Sequence, residues 1–284
     1  DGILTRYTGN YDAFMQMYEI KKRHQNLAYE KQQKEIAHLK EFIAKNKARV
    51  ATTDLAKSRQ RILDKMEILD KAKEQIKPTF RFKESPASGK FVVVAEKLVI
   101  GYDEALSKPL DFVIERGQKV AIKGANGIGK TTLLKTLLGL IPPLSGKCEL
   151  DYNARYGYFV QEENFSKNTA LEEIWQAYPS MTNAEVRGAL AACGLTKDKI
   201  ESLMIVLSGG EAAKVRLCKI MLQECNTLFL DEPTNHLDVL AKESLKEALK
   251  AFKGTIVLVC HEKEFYQDVV TDVLDAESWT TKLI

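Results

Sequence analysis

The nonapeptide GANGIGKTT, residues 124–132, constrains the fold more than any other stretch of the 284-residue sequence. It sets Gly124 and Gly129 around four intervening residues and follows them with Lys130 and Thr131. Such a loop folds its backbone N–H groups around phosphate oxygens, sends a lysine ammonium to the β/γ oxygens and offers a threonine hydroxyl to Mg²⁺. It needs a strand before it and a helix after it. KVAIKG supplies the first pattern and KTTLLKTLLGL the second. FVVVAEKLVIGY and LDFVIERG are further short strand-like runs, and helix and strand patterns alternate after them. Residues 91–284 therefore read as an α/β domain.

Two more motifs follow in order. In NTLFLDEPTNHLD, residues 226–238, a hydrophobic strand delivers two adjacent acids to its carboxyl end. Asp231 suits the water shell of Mg²⁺ and Glu232 suits a general base or an orienter of an attacking water. In LSGGEAAKVRL, residues 207–217, a serine and two glycines open a helix, which makes a second anion-binding helix start beside a chain that already has one. Three single residues are weaker signals. Gln161 follows the strand YGYFV and is placed to touch Mg²⁺ or water. His261 follows TIVLVC and is placed to polarise a γ-phosphate. Tyr102 precedes the glycine loop by 22 residues and is an aromatic face for a base.

The N-terminal part has a different texture. From Tyr11 to Ile76 there is neither Pro nor Gly, and Lys, Glu, Gln, Ala and Leu dominate. Apolar residues recur at Ile36, Leu39 and Ile43, then at Leu55, Ile62, Met66 and Leu69, with helical spacing. Asn46–Asp54 between them is poorer in helix formers, and Thr53 or Asp54 is a cap for a second helix. The spacing predicts two long antiparallel helices over 11–76, each burying a narrow stripe against the other. Residues 77–90, with two prolines, a glycine and two serines, read as a linker.

Charge divides the same way. Residues 1–90 hold 20 Lys/Arg against 12 Asp/Glu, and residues 91–284 hold 22 against 27. The basic half points to an anionic partner such as nucleic acid. Within it, residues 40–61 carry seven Lys/Arg against two acids, and Lys45, Lys47 and Arg49 fall at or beside the helix–helix turn. No run of 18 apolar residues is present to span a membrane. The five cysteines form no C-x-x-C pair and sit mostly in apolar runs, so they read as reduced, buried thiols of a cytoplasmic protein.

Taken in order, Tyr102, GANGIGKTT, Gln161, LSGGE, LFLDEP, NHLD and His261 resemble the motif set of an ATP-binding cassette domain. DEPTNHLD and the later CHEKEF resemble the ABC-F branch, whose members are soluble, carry two cassettes joined by a helical hairpin and act on ribosomes. The resemblance implies an ATPase with ATP and Mg²⁺ as cofactors. Its ATP-binding residues are Tyr102, Gly124, Ala125, Asn126, Gly127, Ile128, Gly129, Lys130, Thr131 and Thr132. Mg²⁺ falls to Thr131, Gln161 and Asp231, and catalysis to Glu232 and His261. It also implies that Ser208, Gly209, Gly210 and Glu211 serve the γ-phosphate held by another cassette. That cassette is a first one preceding residues 1–10, which resemble its tail, or a second copy of this chain. The hairpin would reach ribosomal or transfer RNA, with no membrane involved. The family more often has Pro after the first glycine of the phosphate loop and Ala before the last, where this chain has Ala125 and Ile128. Two other readings share the cassette motifs. One is the ATPase subunit of a membrane transporter. The other is a ribosome-protecting antibiotic-resistance factor, whose members tend toward longer hairpin tips.

Overall fold

The computed structural model describes residues 11–46, 53–69, 77–160 and 167–281. They fall into two compact units, divided between Gln75 and Ile76.

In the first unit α1 (Tyr11–Asn46) packs against α2 (Thr53–Lys65). The seam is Ile36 and Leu39 of α1 against Ala56 of α2, all buried, with Leu63 and Met66 half-buried. The pairing is antiparallel. The Gln32 side-chain amide donates to the Glu67 carbonyl at 2.7 Å and its oxygen accepts from the Leu69 N–H at 2.8 Å. Two expectations need correction. Leu55 and Ile62 do not face α1, being 58% and 42% exposed. The buried side of α2 runs one residue further along, through Ala56 and half-buried Leu63. The second helix also ends at Lys65, because in residues 66–69 the backbone groups of Glu67 and Leu69 bond to Gln32 instead of continuing a helical ladder. The turn residues Lys47 and Arg49 and the tail 1–10 lie outside the described residues.

The second unit runs β1 (Lys83–Glu84), β2 (Phe91–Val99), β3 (Leu110–Glu115), β4 (Lys119–Lys123), α3 (Lys130–Leu137), β5 (Ser145–Leu150), β6 (Tyr156–Phe159), α4 (Ala170–Ala177), α5 (Asn183–Ala192), α6 (Lys197–Ile200), α7 (Gly209–Leu222), β7 (Glu224–Cys225), β8 (Thr227–Asp231), α8 (Val239–Ala251), β9 (Thr255–Val259), α9 (Lys263–Tyr266) and β10 (Asp272–Asp275). A five-stranded sheet in the order β10-β4-β9-β8-β6 is parallel throughout, and β3-β2-β5 form a separate antiparallel sheet. Parallel strands covered on both faces must be apolar at every position. β8 and β9 are buried at every position and apolar over 228–230 and 256–259, and successive residues serve opposite cores: Leu228, Leu230, Ile256 and Leu258 enter one, Phe229, Val257 and Val259 the other.

The segment expected as a linker belongs to this unit. Phe80 and Phe82 are buried, the Thr79 N–H donates to the Ala192 carbonyl at 2.7 Å, and Lys83–Glu84 pair with Glu224–Cys225. Alternating large apolar residues in PTFRF outweigh the prolines and serines around them. All five cysteines are free thiols; four are buried and Cys148 is half-buried.

Candidate functional site: a phosphate loop facing two buried carboxylates

Register places the chemistry. Val259 of β9 pairs with Ile122 of β4 on one side and with Asp231 of β8 on the other. The carboxyl ends of three strands are thereby level, and each leads at once into a polar residue: the loop after Lys123, Asp231–Glu232, and His261. Ligands of open parallel sheets bind at this edge.

The loop itself is held open from within. Gly124 and Gly129 have φ of 140° and 107°, which side chains rarely adopt. A Cβ on Gly124 would also lie 2.5 Å from Ile128 Cδ1. Lys130, the first residue of α3, turns its ammonium back across the loop and donates to the carbonyls of Gly124 and Ala125 at 2.8 and 2.7 Å. Burial lowers the pKa of that ammonium, with Glu232 and Asp231 opposing.

Facing it, Asp231 and Glu232 are 0% and 5% exposed. Among the described residues neither carboxylate oxygen of Asp231 has a hydrogen-bond partner, nor does Glu232 Oε1. Burial raises the Asp231 pKa, with Thr131 and Lys130 opposing. Burial pushes Glu232 up to about 7, Lys130 opposing and Asp231 reinforcing. His261 Nε2 approaches Glu232 Oε1 to 2.8 Å, without the alignment of a hydrogen bond, and lies 3.5 Å from Lys130 Nζ. Burial, then Lys130, lowers the His261 pKa, which favours the neutral imidazole. Glu232 has φ of 49°, a left-handed conformation that costs a side-chain-bearing residue about 1–2 kcal/mol. Its N–H still joins the sheet through the Val259 carbonyl at 3.0 Å, which holds the strain in place. Buried carboxylate oxygens without donors suit a divalent cation. Thr131 and Asp231 are the residues that would hold Mg²⁺, and the ion would neutralise phosphate charge there.

These groups line one cavity of about 660 Å³ together with Asn126, Gly127, Gly129, Thr131 and Thr132. Tyr102, 58% exposed, stands at its rim. Gly124, Ala125 and Ile128 do not line it. Ile128 is buried in the core and Ala125 packs against the same cluster. Gln161 lies outside the described residues. Sequence reasoning gave no role to Asn235, which also lines the cavity and whose N–H donates to the Glu232 carbonyl at 3.1 Å. Its place three residues after the second acid was the available signal.

Ser208, Gly209, Gly210 and Glu211 stand apart from that cavity. Ser208 caps α7: its Oγ accepts from the Glu211 N–H at 3.3 Å, while Glu211 Oε2 accepts from the Ser208 N–H at 2.8 Å. Ser208 and Gly209 are exposed. The helix start is thus open to solvent at Ser208 and Gly209 and does not line the cavity of the phosphate loop.

Residues 107–235 match the family model described as ABC transporter, and residues 1–82 match a second model with the same description. The ABC transporter ATP-binding protein YfmM of Bacillus subtilis is 56% identical over 282 residues, 99% of this chain and 54% of the relative. ABC transporter F family member 5 of Arabidopsis thaliana is 35% identical over 287 residues, 97% of this chain and 41% of that protein. The chain thus spans about half the length of the curated relatives it matches. Among solved structures, a dimeric ATP-binding cassette bound to ADP and phosphate after hydrolysis superposes with a TM-score of 0.57 at 20% identity, covering 64% of this chain and 93% of its own. The second unit is an ABC transporter ATP-binding domain, a class of domain that hydrolyses ATP. Among the described residues no helix is long and apolar enough to cross a membrane.

Proposed function

We propose that this chain is the helical hairpin and the second cassette of a soluble ABC-F type ATPase that acts on the ribosome. The observation that carries the reading is the likeness to F family members across both units, hairpin included, at 35% identity. In the proposed reaction Lys130 pairs with the β/γ phosphates. Glu232 takes the proton of the attacking water, and its raised pKa makes it a base effective near neutrality. Neutral His261 holds Glu232 and the γ-phosphate in register. The remaining half of the site is the glycine start of α7 from another cassette, as the resemblance to the cassette motif set implies; a solved cassette of the same fold is dimeric. Bound ATP then draws two cassettes together, and the basic hairpin carries that motion to RNA.

The hairpin gives the test of the ribosomal part. Lys45 pairs with Glu41 at 2.6 Å, but both are well exposed, and such pairs contribute little. Lys45 therefore stays available to a phosphate. Changing Lys45, Lys47 and Arg49 together to Ala is expected to weaken ribosome binding and to flatten its salt dependence by up to about three charge units. ATP affinity should stay unchanged. Co-sedimentation of a hydrolysis-deficient protein with ribosomes over a salt series reads both. A triple variant that sediments like its parent at every salt concentration would place the RNA contact elsewhere.

A further inference from the structure

We propose that His236 is a positioning residue for the nucleotide site of the opposing cassette: its left-handed turn and imidazole seat the glycine start of α7. The inference rests on the two-cassette reading above. His236 has φ of 66° and is exposed, on the turn between β8 and α8. Both glycines of LSGGE are pressed against it. A Cβ on Gly209 would lie 3.1 Å from His236 Cγ, and one on Gly210 would lie 2.5 Å from the His236 carbonyl oxygen. The first contact is with the ring, the second with backbone that cannot swing aside. One turn further along α7, Lys214, only 12% exposed, pairs with Asp238 at 2.7 Å. Asp238 also caps α8 by accepting from the Ala241 N–H at 2.8 Å. The start of α7 is therefore fixed to the 236–238 segment at three points.

The other end of the same segment is Glu232. Asn235 N–H donates to the Glu232 carbonyl at 3.1 Å, Leu237 N–H to the Thr234 carbonyl at 3.2 Å, and Thr234 and Leu237 are buried. Three residues thus separate two strained positions, Glu232, the base of one nucleotide site, and His236, the seat of the helix that completes another. Small displacements of groups that meet a transition state reduce rate steeply. Loosening His236 should therefore damage the site to which α7 is presented and spare the site in its own cassette.

The test uses mixed chains. A trace of ATP-competent chain is combined with a large excess of Lys130→Ala chain, so that turnover arises where the trace chain's ATP meets the excess chain's α7. With His236→Gly on the excess chain, turnover should fall at least tenfold, with the KM for ATP unchanged. On the trace chain, the same change should alter turnover less than twofold. Equal losses in the two arrangements, or a loss confined to the trace chain, would overturn the inference. No turnover in the parent mixture would refute the pairing of two copies through α7 and, with it, the inference as drawn for this chain. If the glycine variant melts early, His236→Asn, which tolerates left-handed backbone but lacks the ring, takes its place with the same asymmetry expected.

Discussion

Replacing Glu232 with Gln is expected to leave Mg–ATP binding intact and to lower turnover by about 10²–10⁴-fold, the usual contribution of a positioned base. The amide fills the same buried space 5% open to solvent but takes no proton. Single-turnover hydrolysis alongside equilibrium ATP binding separates the two effects. Unchanged turnover would move the base elsewhere. The same variant has a second, pH-dependent signature without nucleotide. Burial raises the Glu232 pKa from 4.5 to about 7. A carboxyl raised on folding gives its full stability below pH 4.5 and loses it as pH rises through about 7, because the buried group must then ionise. The Gln variant escapes that loss. Its melting temperature should match or trail the parent at pH 5 and exceed it at pH 8, by the equivalent of up to about 3 kcal/mol. A pH-independent gap between the two proteins would contradict the burial account of Glu232.

Lys130→Ala should act on the other half of the reaction. Without nucleotide the ammonium is held by the Gly124 and Ala125 carbonyls, already inside the loop it serves. Binding ATP exchanges those neutral acceptors for phosphate oxygens, and charge-assisted bonds are the stronger kind. Losing one or two of them removes about 2–4 kcal/mol, which is roughly a 30- to 1,000-fold loss of Mg–ATP affinity. Titration calorimetry reads it directly. An affinity within threefold of the parent would mean that backbone N–H groups alone carry the phosphates.

How much of this was visible beforehand follows from where the information sits. The phosphate loop, the paired acids and His261 are short-range signals: each lies at the end of an apolar strand, and the register of β4, β9 and β8 then brings them together. The role of LSGGE toward another cassette is implied by family resemblance alone; what the structure shows is a solvent-exposed helix start closed by the capping box of Ser208 and Glu211. Other features depend on tertiary contacts that spacing does not encode. PTFRF read as linker because its prolines were legible and its partners, Ala192 and Phe252, are far along the chain. The face of α2 is displaced by one residue because Leu and Ile outrank Ala in any apolar count, whereas Ala56 is the residue that is buried and Leu55 and Ile62 are exposed. Asn235 and His236 owe their placement to a turn with left-handed residues at 232 and 236; spacing after the second acid marks the position of Asn235 but not the turn that aims it.

The central claim is that a complete ATPase site takes its last elements, Ser208, Gly209 and Gly210, from another cassette. Turnover per chain, measured at saturating Mg–ATP over a hundredfold range of protein concentration, tests it most directly. The two-cassette reading expects slow hydrolysis at high dilution and, if homodimers form, a specific rate that climbs with concentration. Robust turnover at high dilution, with a specific rate constant over the whole range, would contradict it, because the site would then be complete within one chain.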